Sequence, residues 1–290
     1  MRGQLNMSGS TTLPAPAAWT RREVLCAVVV GGVTTLLSPA TYADGGAAAV
    51  RVDWVPGGRS FVLGLPGAAS AEGVLRIGVA NDSFVLVHRD APVHRQLSSQ
   101  ASGVHLSSAW QVSEQTFAVL DGGRGALHRF RFDGSPLDAA PLCGVAAAGD
   151  GCADGTGGSY VSLTRRHTIA HLAADGRVLR EFGGQHELNS PTGLVRLADG
   201  DLVVADTGNR RLRRYSAAGN LRGTMTQFEF MPRHLAVSDA TLATYDPLGA
   251  RAVLMDLHGT ARRDVSHPAG IEGRCTALSA GAGGQLFASA

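Results

Sequence analysis

Residues 191–221 of this chain read PTGLVRLADGDLVVADTGNRRLRRYSAAGNL. The segment Leu202–Asp206 is an apolar run of strand length, which is typical of a strand buried on both faces. Asp199-Gly200 before it favours the positive-φ turn of a tight hairpin, and Thr207-Gly208-Asn209 turns the chain again after it. Arg211–Tyr215 then predicts a more exposed strand. The stretch therefore predicts three short strands that are joined by two tight turns.

Weaker copies of this stretch recur along the chain at a step of about 42 residues. Copies of the buried strand lie 43, 42 and 40 residues apart, at Phe117–Asp121, Tyr160–Thr164, Leu202–Asp206 and Leu242–Asp246. The turn after the third strand recurs 42, 43 and 40 residues apart, at Asp133-Gly134, Asp175-Gly176, Ala218-Gly219 and His258-Gly259. A fixed period of about 40 residues with several short strands in each unit is typical of propeller blades. The repeat therefore predicts an all-β propeller.

Strand-like segments at both ends of the chain predict how the propeller closes. Val74–Ser98 reads as one compact blade before the regular repeats. Two further strands remain near each terminus: Val50–Val55, Ser60–Leu65, Cys275–Ala280 and Gln285–Ala290. One blade built from both termini would remove the open sheet edge, which is an aggregation hazard. Five internal blades and this shared one predict six blades over residues 44–290, at close to 41 residues each.

The repeat resembles a known family at the residues around the buried strand. Asp199-Gly200 and the following Leu202–Leu212, LVVADTGNRRL, are similar to the core of an NHL repeat. Asp121–Arg124 and Asp246–Arg251 keep the acid and an arginine, whereas Thr164-Arg165-Arg166 lacks the acid. The resemblance implies a six-bladed NHL-like propeller. Such propellers include protein-interaction modules and RNA binders, and related folds include metal-dependent lyases and lactonases. The repeat motif itself is architectural, so no catalytic residue is carried over with it.

The N-terminus predicts export. Thr20–Leu25, TRREVL, resembles a twin-arginine export motif, and an apolar run extends from Val24 to Leu37. This run has 14 residues, fewer than the ~20 that a transmembrane helix needs. Residues 1–43 are therefore predicted to be a cleaved signal peptide, with an N-terminal core helix behind a tail as the alternative. We expect a periplasmic or secreted protein that is exported folded and keeps no stable membrane anchor.

The charge balance argues against nucleic acid as a partner. Without residues 1–43 the chain has 23 arginines, no lysine and 23 acidic residues. A protein without net charge has no overall attraction to nucleic acid or to an anionic membrane. The densest basic cluster lies beside Asn209: Arg210, Arg211, Arg213 and Arg214. These arginines either bind an anion or RNA, or pair with neighbouring acids on the blade, and we favour the pairing.

Three cysteines follow the predicted signal peptide. Cys143 and Cys152 flank a Gly/Ala-rich segment and can close a small loop in an oxidising compartment, which would leave Cys275 over. Zinc is another interpretation, but no CxxC pair supports it. The sequence therefore predicts either a Cys143–Cys152 disulfide or two buried thiols.

Ligand sites in propellers usually lie at one mouth of the central channel, where the innermost strands begin. The alignment predicts four ligand-binding residues at this mouth: Trp110, Gly193, His234 and Cys275. A histidine and a cysteine near one axis suit zinc or copper, and a histidine hydrogen-bonded to backbone or water is the alternative that we favour. We therefore predict no metal and no cofactor. The chain has no HExxH or GxSxG motif, so no catalytic residue is assigned.

These features together predict a binding or scaffold module for a protein, peptide or small ligand, with a periplasmic protein or peptide as its partner. The alternative is a periplasmic metal-dependent hydrolase or lyase whose site lies at the channel mouth.

Overall fold

The computed structural model describes residues 106–138, 142–143, 145, 147–238, 240–246, 248–260 and 262–266. Outside these ranges it describes only strands near the two termini. Within the described residues, no helix is long and apolar enough to span a membrane. The export signal and its cleavage after residues 1–43 stay predictions.

Among the strands that the structure describes, eight precede the regular repeats. They are β1 (Val28–Val30), β2 (Val33–Thr35), β3 (Pro39–Ala40), β4 (Arg51–Val55), β5 (Arg59–Gly64), β6 (Val74–Ala80), β7 (Ser83–His88) and β8 (Ala91–Gln96). β1 pairs with β2, and β3 pairs with β4. β5 to β8 form one antiparallel sheet in chain order. The prediction that the 60–65 segment belongs to the shared terminal blade is therefore wrong, because β5 pairs with β6, the next strand along the chain.

Four sheets of four antiparallel strands follow, and we call them blades one to four. Blade one contains β9 (Leu106–Gln111), β10 (Thr116–Asp121), β11 (Ala126–Arg131) and β12 (Leu142–Cys143). Blade two contains β13 (Ala148–Ala153), β14 (Ser159–Leu163), β15 (Thr168–Leu172) and β16 (Val178–Gly183). Blade three contains β17 (Leu194–Arg196), β18 (Leu202–Asp206), β19 (Arg211–Tyr215) and β20 (Leu221–Gln227). Blade four contains β21 (Leu235–Ser238), β22 (Thr241–Asp246), β23 (Arg251–Asp256) and β24 (Arg262–Ser266).

The strands of each blade run in chain order from the inside of the molecule outward. The first strands of successive blades contact one another, β9 with β13, β13 with β17 and β17 with β21. This radial arrangement of sheets is a β-propeller, and the predicted all-β propeller is confirmed over these four blades. The last two strands, β25 (Ala277–Ala280) and β26 (Gln285–Ser289), pair with each other, and β26 pairs in parallel with β4.

Apolar packing between neighbouring blades forms the core. Leu202 and Val204 pack against blade two, whereas Val203 and Ala205 pack against blade four. This alternation follows from the two-residue period of a strand. All four side chains are fully buried, and burial of each Leu or Val contributes roughly 1.5–3 kcal/mol. The predicted burial of this strand on both faces is confirmed.

The structure shifts the sequence alignment of blade two by one residue. Thr164 and Thr207 each begin a 3-10 turn, and the Oγ1 of each donates to a proline carbonyl, Pro191 O at 2.8 Å and Pro232 O at 2.7 Å. Thr164 is therefore the counterpart of Thr207, and the predicted match of Thr164 with Asp206 is wrong. Leu163, which is buried, takes the place of the acid.

Candidate functional site

The second-strand turns and the loops into the next innermost strand meet at one end of the blades. Besides the threonine-to-proline bonds, the Gly208 amide donates to Asn189 O at 2.8 Å. The Phe228 amide donates to Arg210 O at 2.8 Å. We call this end the mouth face. Its described parts are residues 122–125, 164–167, 184–193, 207–210, 228–234 and 248–250.

A buried carboxylate organises the NHL-like turn of the mouth face. Asp206 is fully buried, and its carboxylate accepts from the Asn189 amide at 2.7 Å, from Asn209 Nδ2 at 2.9 Å and from Arg211 Nε at 2.6 Å. The Asp246 carboxylate accepts from the Leu248 amide and from Arg251 Nε in the same way. The acid of the repeat therefore holds a turn and an outer strand together, which is a structural role.

Most of the predicted basic cluster is paired with acids of the same blade. Arg211 Nε lies 2.6 Å and Arg213 Nε 3.9 Å from the Asp206 carboxylate. Arg214 contacts the carboxylates of Asp199 and Asp201. The interpretation that these arginines pair with neighbouring acids is confirmed for the three of them. Arg210, the fourth arginine of the cluster, differs from these three because it is exposed at the turn.

The start of each innermost strand presents one equivalent residue. The next residue pairs with the middle of the second strand in every blade: Ala109 with Val119, Gly151 with Val161, Leu194 with Val204, and Leu235 with Thr244. The four equivalent residues are therefore Ser108, Asp150, Gly193 and His234. Gly193 and His234 are at the predicted level. Ser108 and Asp150 were not predicted.

Asp150 is the acidic residue among these four. A β-bulge between Ala148 and Gly151 leaves Asp150 outside the regular pairing, a device that re-aims a side chain. Its carboxylate accepts from the Ser108 hydroxyl, from the Gly151 amide at 2.8 Å and from the Leu194 amide. The carboxylate therefore joins the innermost strands of blades one, two and three.

Burial raises the pKa of Asp150 to about 6, although its hydrogen bonds from Ser108, Gly151 and Leu194 act in the opposite direction. Within the described part of the chain, Asp150 forms no ion pair that would compensate its charge. A carboxyl group with a pKa in this range can exchange a proton near neutral pH.

Gly193 contributes only backbone to the site. A Cβ at this residue would lie 2.4 Å from Arg233 O and 3.0 Å from Leu235 N. A side chain would therefore require the next blade to move. Blade three has a glycine where blade four has the partly buried His234, because two backbones approach closely at Gly193.

Trp110 lies in the core between blades one and two. It is 6% exposed, it packs with Leu120 and Val161, and its Nε1 donates to Ser159 Oγ at 3.0 Å. In blade one the counterpart of Gly193 is Ser108, two residues before Trp110. The prediction that Trp110 lines the channel mouth is therefore wrong. Cys275 lies outside the described residues, so its predicted place at the mouth stays a prediction.

Cys152 is a free thiol on the innermost strand of blade two. Cys143 lies on the outermost strand of blade one, and its side chain is outside the described residues. Because Cys152 is free, the structure agrees with the alternative of two thiols and not with the predicted Cys143–Cys152 disulfide. Burial, with the nearby Asp150 charge, raises the pKa of the Cys152 thiol well above its usual range, so this thiol is expected to be unreactive.

The described residues do not fit a metal site. Among them, no three His, Cys, Asp or Glu side chains converge as a ligand set. His171 has another role, because its Nε2 lies 3.0 Å from the Asp154 carboxylate and its ring stacks on Tyr160 at 4.3 Å. Burial opposes ionisation of Asp154, but the bonds from His171, Thr156 and Gly158 outweigh it and lower the pKa of this carboxyl.

Comparison with known proteins agrees with the fold. The family model of the NHL repeat matches residues 188–215. No curated protein is similar enough in sequence to match this chain. A streptogramin B lyase structure is similar with a TM-score of 0.60 and 13% identity, covering 88% of this chain and 80% of that one.

Two further structures are similar. The virginiamycin B lyase of Staphylococcus aureus has a TM-score of 0.56 and 16% identity, covering 80% of this chain and 81% of its own. A chain of a nidogen/laminin complex has a TM-score of 0.59 and 17% identity, covering 75% of this chain and 82% of its own. At these identities the likeness shows the fold alone. This chain is a β-propeller that carries an NHL repeat at residues 188–215.

Proposed function

We propose that this protein is an exported six-bladed NHL-like propeller that acts as a binding module, and that its mouth face binds an acidic segment of a partner protein or peptide. One observation carries the proposal. The side chains of Arg165, Arg210 and Arg233 are exposed and make no hydrogen bond or ion pair with any residue that the structure describes. Guanidinium groups without an internal partner are available to carboxylates of another molecule.

Exposed apolar side chains accompany these arginines. Met231 is 42% exposed on the loop that carries Arg233, and Leu248 is 83% exposed on the turn of blade four that is equivalent to the turn of Arg210. Arginine and methionine are enriched in protein interfaces, where an apolar centre is bordered by polar groups. Glu229 is an exposed acid on the same loop, so the face is mixed and not uniformly basic. An acidic segment with interspersed apolar residues fits this surface best.

Strand contacts near the termini support six blades. β26 pairs with β4, so strands from both ends share one sheet, and β5 to β8 form another. β25 contacts β21 and β5, and β5 contacts β9, which leads back to blade one. A ring of six blades accounts for all of these contacts and leaves no open edge.

Export is the second component of the proposal. The expected product in the periplasm begins near residue 44, and its mass distinguishes it from the full chain. The double variant Arg21→Lys, Arg22→Lys should remain uncleaved in the cytoplasm. Cleavage near Ala43 would remove β1, β2 and β3, and it would keep the pairing of β26 with β4. An uncleaved wild-type chain in the cytoplasm would contradict export.

A labelled peptide of alternating glutamate and leucine tests the binding function, measured by fluorescence anisotropy. Wild type should bind it, and Arg210→Glu, Arg233→Glu should weaken binding about 10-fold or more, because two charge-assisted contacts become repulsive. The control Arg177→Glu, Arg222→Glu makes the same charge change on exposed residues of blades two and three. Equal losses in both variants, or no binding by wild type, would contradict the proposal.

The rival function is a periplasmic lyase or hydrolase. It is favoured by the lyases of the same fold and by the ionisable Asp150 at the level of His234. Metal analysis of the purified protein is the direct test. A stoichiometric metal that is lost in His234→Ala would replace the binding proposal with an enzyme.

A further inference from the structure

Arg196 ends the innermost strand of blade three, at the face opposite the mouth face. Its guanidinium lies between two hairpin turns. A Cβ on Gly155, in the first hairpin of blade two, would be 3.0 Å from Nη1, and a Cβ on Gly200, in the first hairpin of blade three, would be 3.5 Å from Nη2. A side chain at either glycine would therefore lie against the guanidinium.

The guanidinium of Arg196 has no partner in the described part of the molecule. Its Nε is buried without a hydrogen-bond acceptor, and neither Nη1 nor Nη2 donates a hydrogen bond or forms an ion pair there. A buried donor on a charged group is costly to leave unsatisfied. The neighbouring outer-strand arginine Arg214 is, by contrast, held by two carboxylates.

The acids of the two hairpins are already engaged. The Asp154 carboxylate accepts from the Thr156 and Gly158 amides, from Thr156 Oγ1 and from His171. The Asp201 carboxylate accepts from Arg214 Nε at 2.8 Å. The Asp199 carboxylate accepts from Arg214 Nη2 and from the Asp201 amide. None of these three acids forms an ion pair with Arg196. An external anion would therefore find the Nη1 and Nη2 donors of Arg196 unoccupied by these acids.

We propose that Arg196 is the anchor of an oxyanion-binding site between the first hairpins of blades two and three, which takes a phosphate or a carboxylate. The planar fork of Nη1 and Nη2 matches two oxygens of either group. The Gly155 turn lies beside Nη1, and the Gly200 turn lies beside Nη2. This site lies at the opposite end of the blades from the mouth face and does not rest on the proposed partner there.

Thermal unfolding of residues 44–290 in sodium phosphate, sodium acetate and sodium chloride at equal ionic strength tests the site. Wild type should be stabilised by phosphate or acetate relative to chloride, because an anion that binds only the folded state shifts the equilibrium toward it. Arg196→Gln should lose this response, and the exposed control Arg177→Gln should keep it. Phosphate and acetate responses measured separately identify which oxyanion is bound.

Chloride alone provides a second readout. Since Arg196 is unpartnered without an oxyanion, Arg196→Gln should be at least as stable as wild type in chloride. Arg196→Lys keeps the charge without the fork and should bind the oxyanion about 10-fold more weakly. An unchanged oxyanion response in Arg196→Gln, a marked loss of its stability in chloride, or equal binding by Arg196→Lys would each overturn the proposal.

Discussion

The hydroxyl of Ser108 donates a hydrogen bond to the carboxylate of Asp150, 42 residues later in the chain and in the next blade. The two residues are equivalents of each other, since each precedes the residue that pairs with the middle of the second strand of its blade. The same carboxylate accepts from the Leu194 amide in blade three. The carboxylate of Asp150 therefore connects three blades.

The charge of Asp150 is expected to make stability depend on pH. Its folded pKa of about 6 lies above the unfolded value, so the folded state keeps a proton that the unfolded chain has lost. Stability should therefore fall by about 2 kcal/mol as the pH rises from about 4 to about 6, and then level off. Urea unfolding of wild type and Asp150→Asn across this range measures the difference.

Asp150→Asn removes the titrating group and should be the more stable protein near neutral pH. Ser108→Ala provides a matched test, because loss of a hydrogen bond to the carboxylate should raise the pKa of Asp150 further. Parallel pH profiles for wild type and Asp150→Asn would contradict this assignment.

The buried acid of the NHL-like repeat is expected to dominate the stability of blade three. Asp206→Ala removes the acceptor of Arg211 Nε and of the Asn189 amide, and it removes the ion-pair partner of Arg213, at a cost of about 3–5 kcal/mol. Asp199→Ala removes an exposed partner of Arg214 and should cost less than about 1 kcal/mol. Urea unfolding compares them, and similar losses would show that burial of Asp206 is not the cause.

Gly193→Ala is expected to disturb the contact between blades three and four. The added Cβ would collide with the Arg233 carbonyl at 2.4 Å, and the cost of such overpacking is about 1–3 kcal/mol or more. Gly184→Ala is the control, because a Cβ there would meet no atom within 4 Å and only the positive φ of 106° opposes the change. Thermal unfolding should show the larger loss for Gly193→Ala.

Thiol counting separates the two interpretations of the cysteines. Residues 44–290 contain Cys143, Cys152 and Cys275. Denatured, unreduced protein should titrate three thiols if none of the cysteines is bonded; Cys152 is free in this structure. A count of one, restored to three by reductant, would show one disulfide, and peptide mapping would then tell whether it joins Cys143 to Cys152. In the native state Cys152 should react slowly, because its buried thiol resists ionisation.

Several features of the fold were predictable because they are periodic. The apolar run Leu202–Asp206 and its copies predict the second strand of each blade, and the Gly turns predict the hairpins. The alignment failed where one residue differs: Leu163 replaces the acid, so Thr164 was matched with Asp206. The equivalent hydrogen bonds of Thr164 and Thr207 to proline carbonyls show that these two threonines are the true match.

The candidate site was less predictable, because neighbours across blades decide it. His234 could be singled out from its alignment with Gly193. Asp150 could not, since a bulge moves it out of the regular strand pairing and its partners come from two other blades. A polar residue beside a Gly-rich strand start carries no pattern that marks such a position.

The sequence by itself determined the repeat length, the strand character of each segment and the NHL-like turn, since these follow from local periodicity and turn chemistry. The tertiary structure alone decided which polar groups are buried, paired or left without a partner. Asp206 and Arg196 lie on neighbouring strands of one blade. The carboxylate of Asp206 accepts several hydrogen bonds, whereas the guanidinium of Arg196 has no partner among the described residues. Burial and pairing depend on contacts between blades, and such contacts join residues that are far apart in the chain.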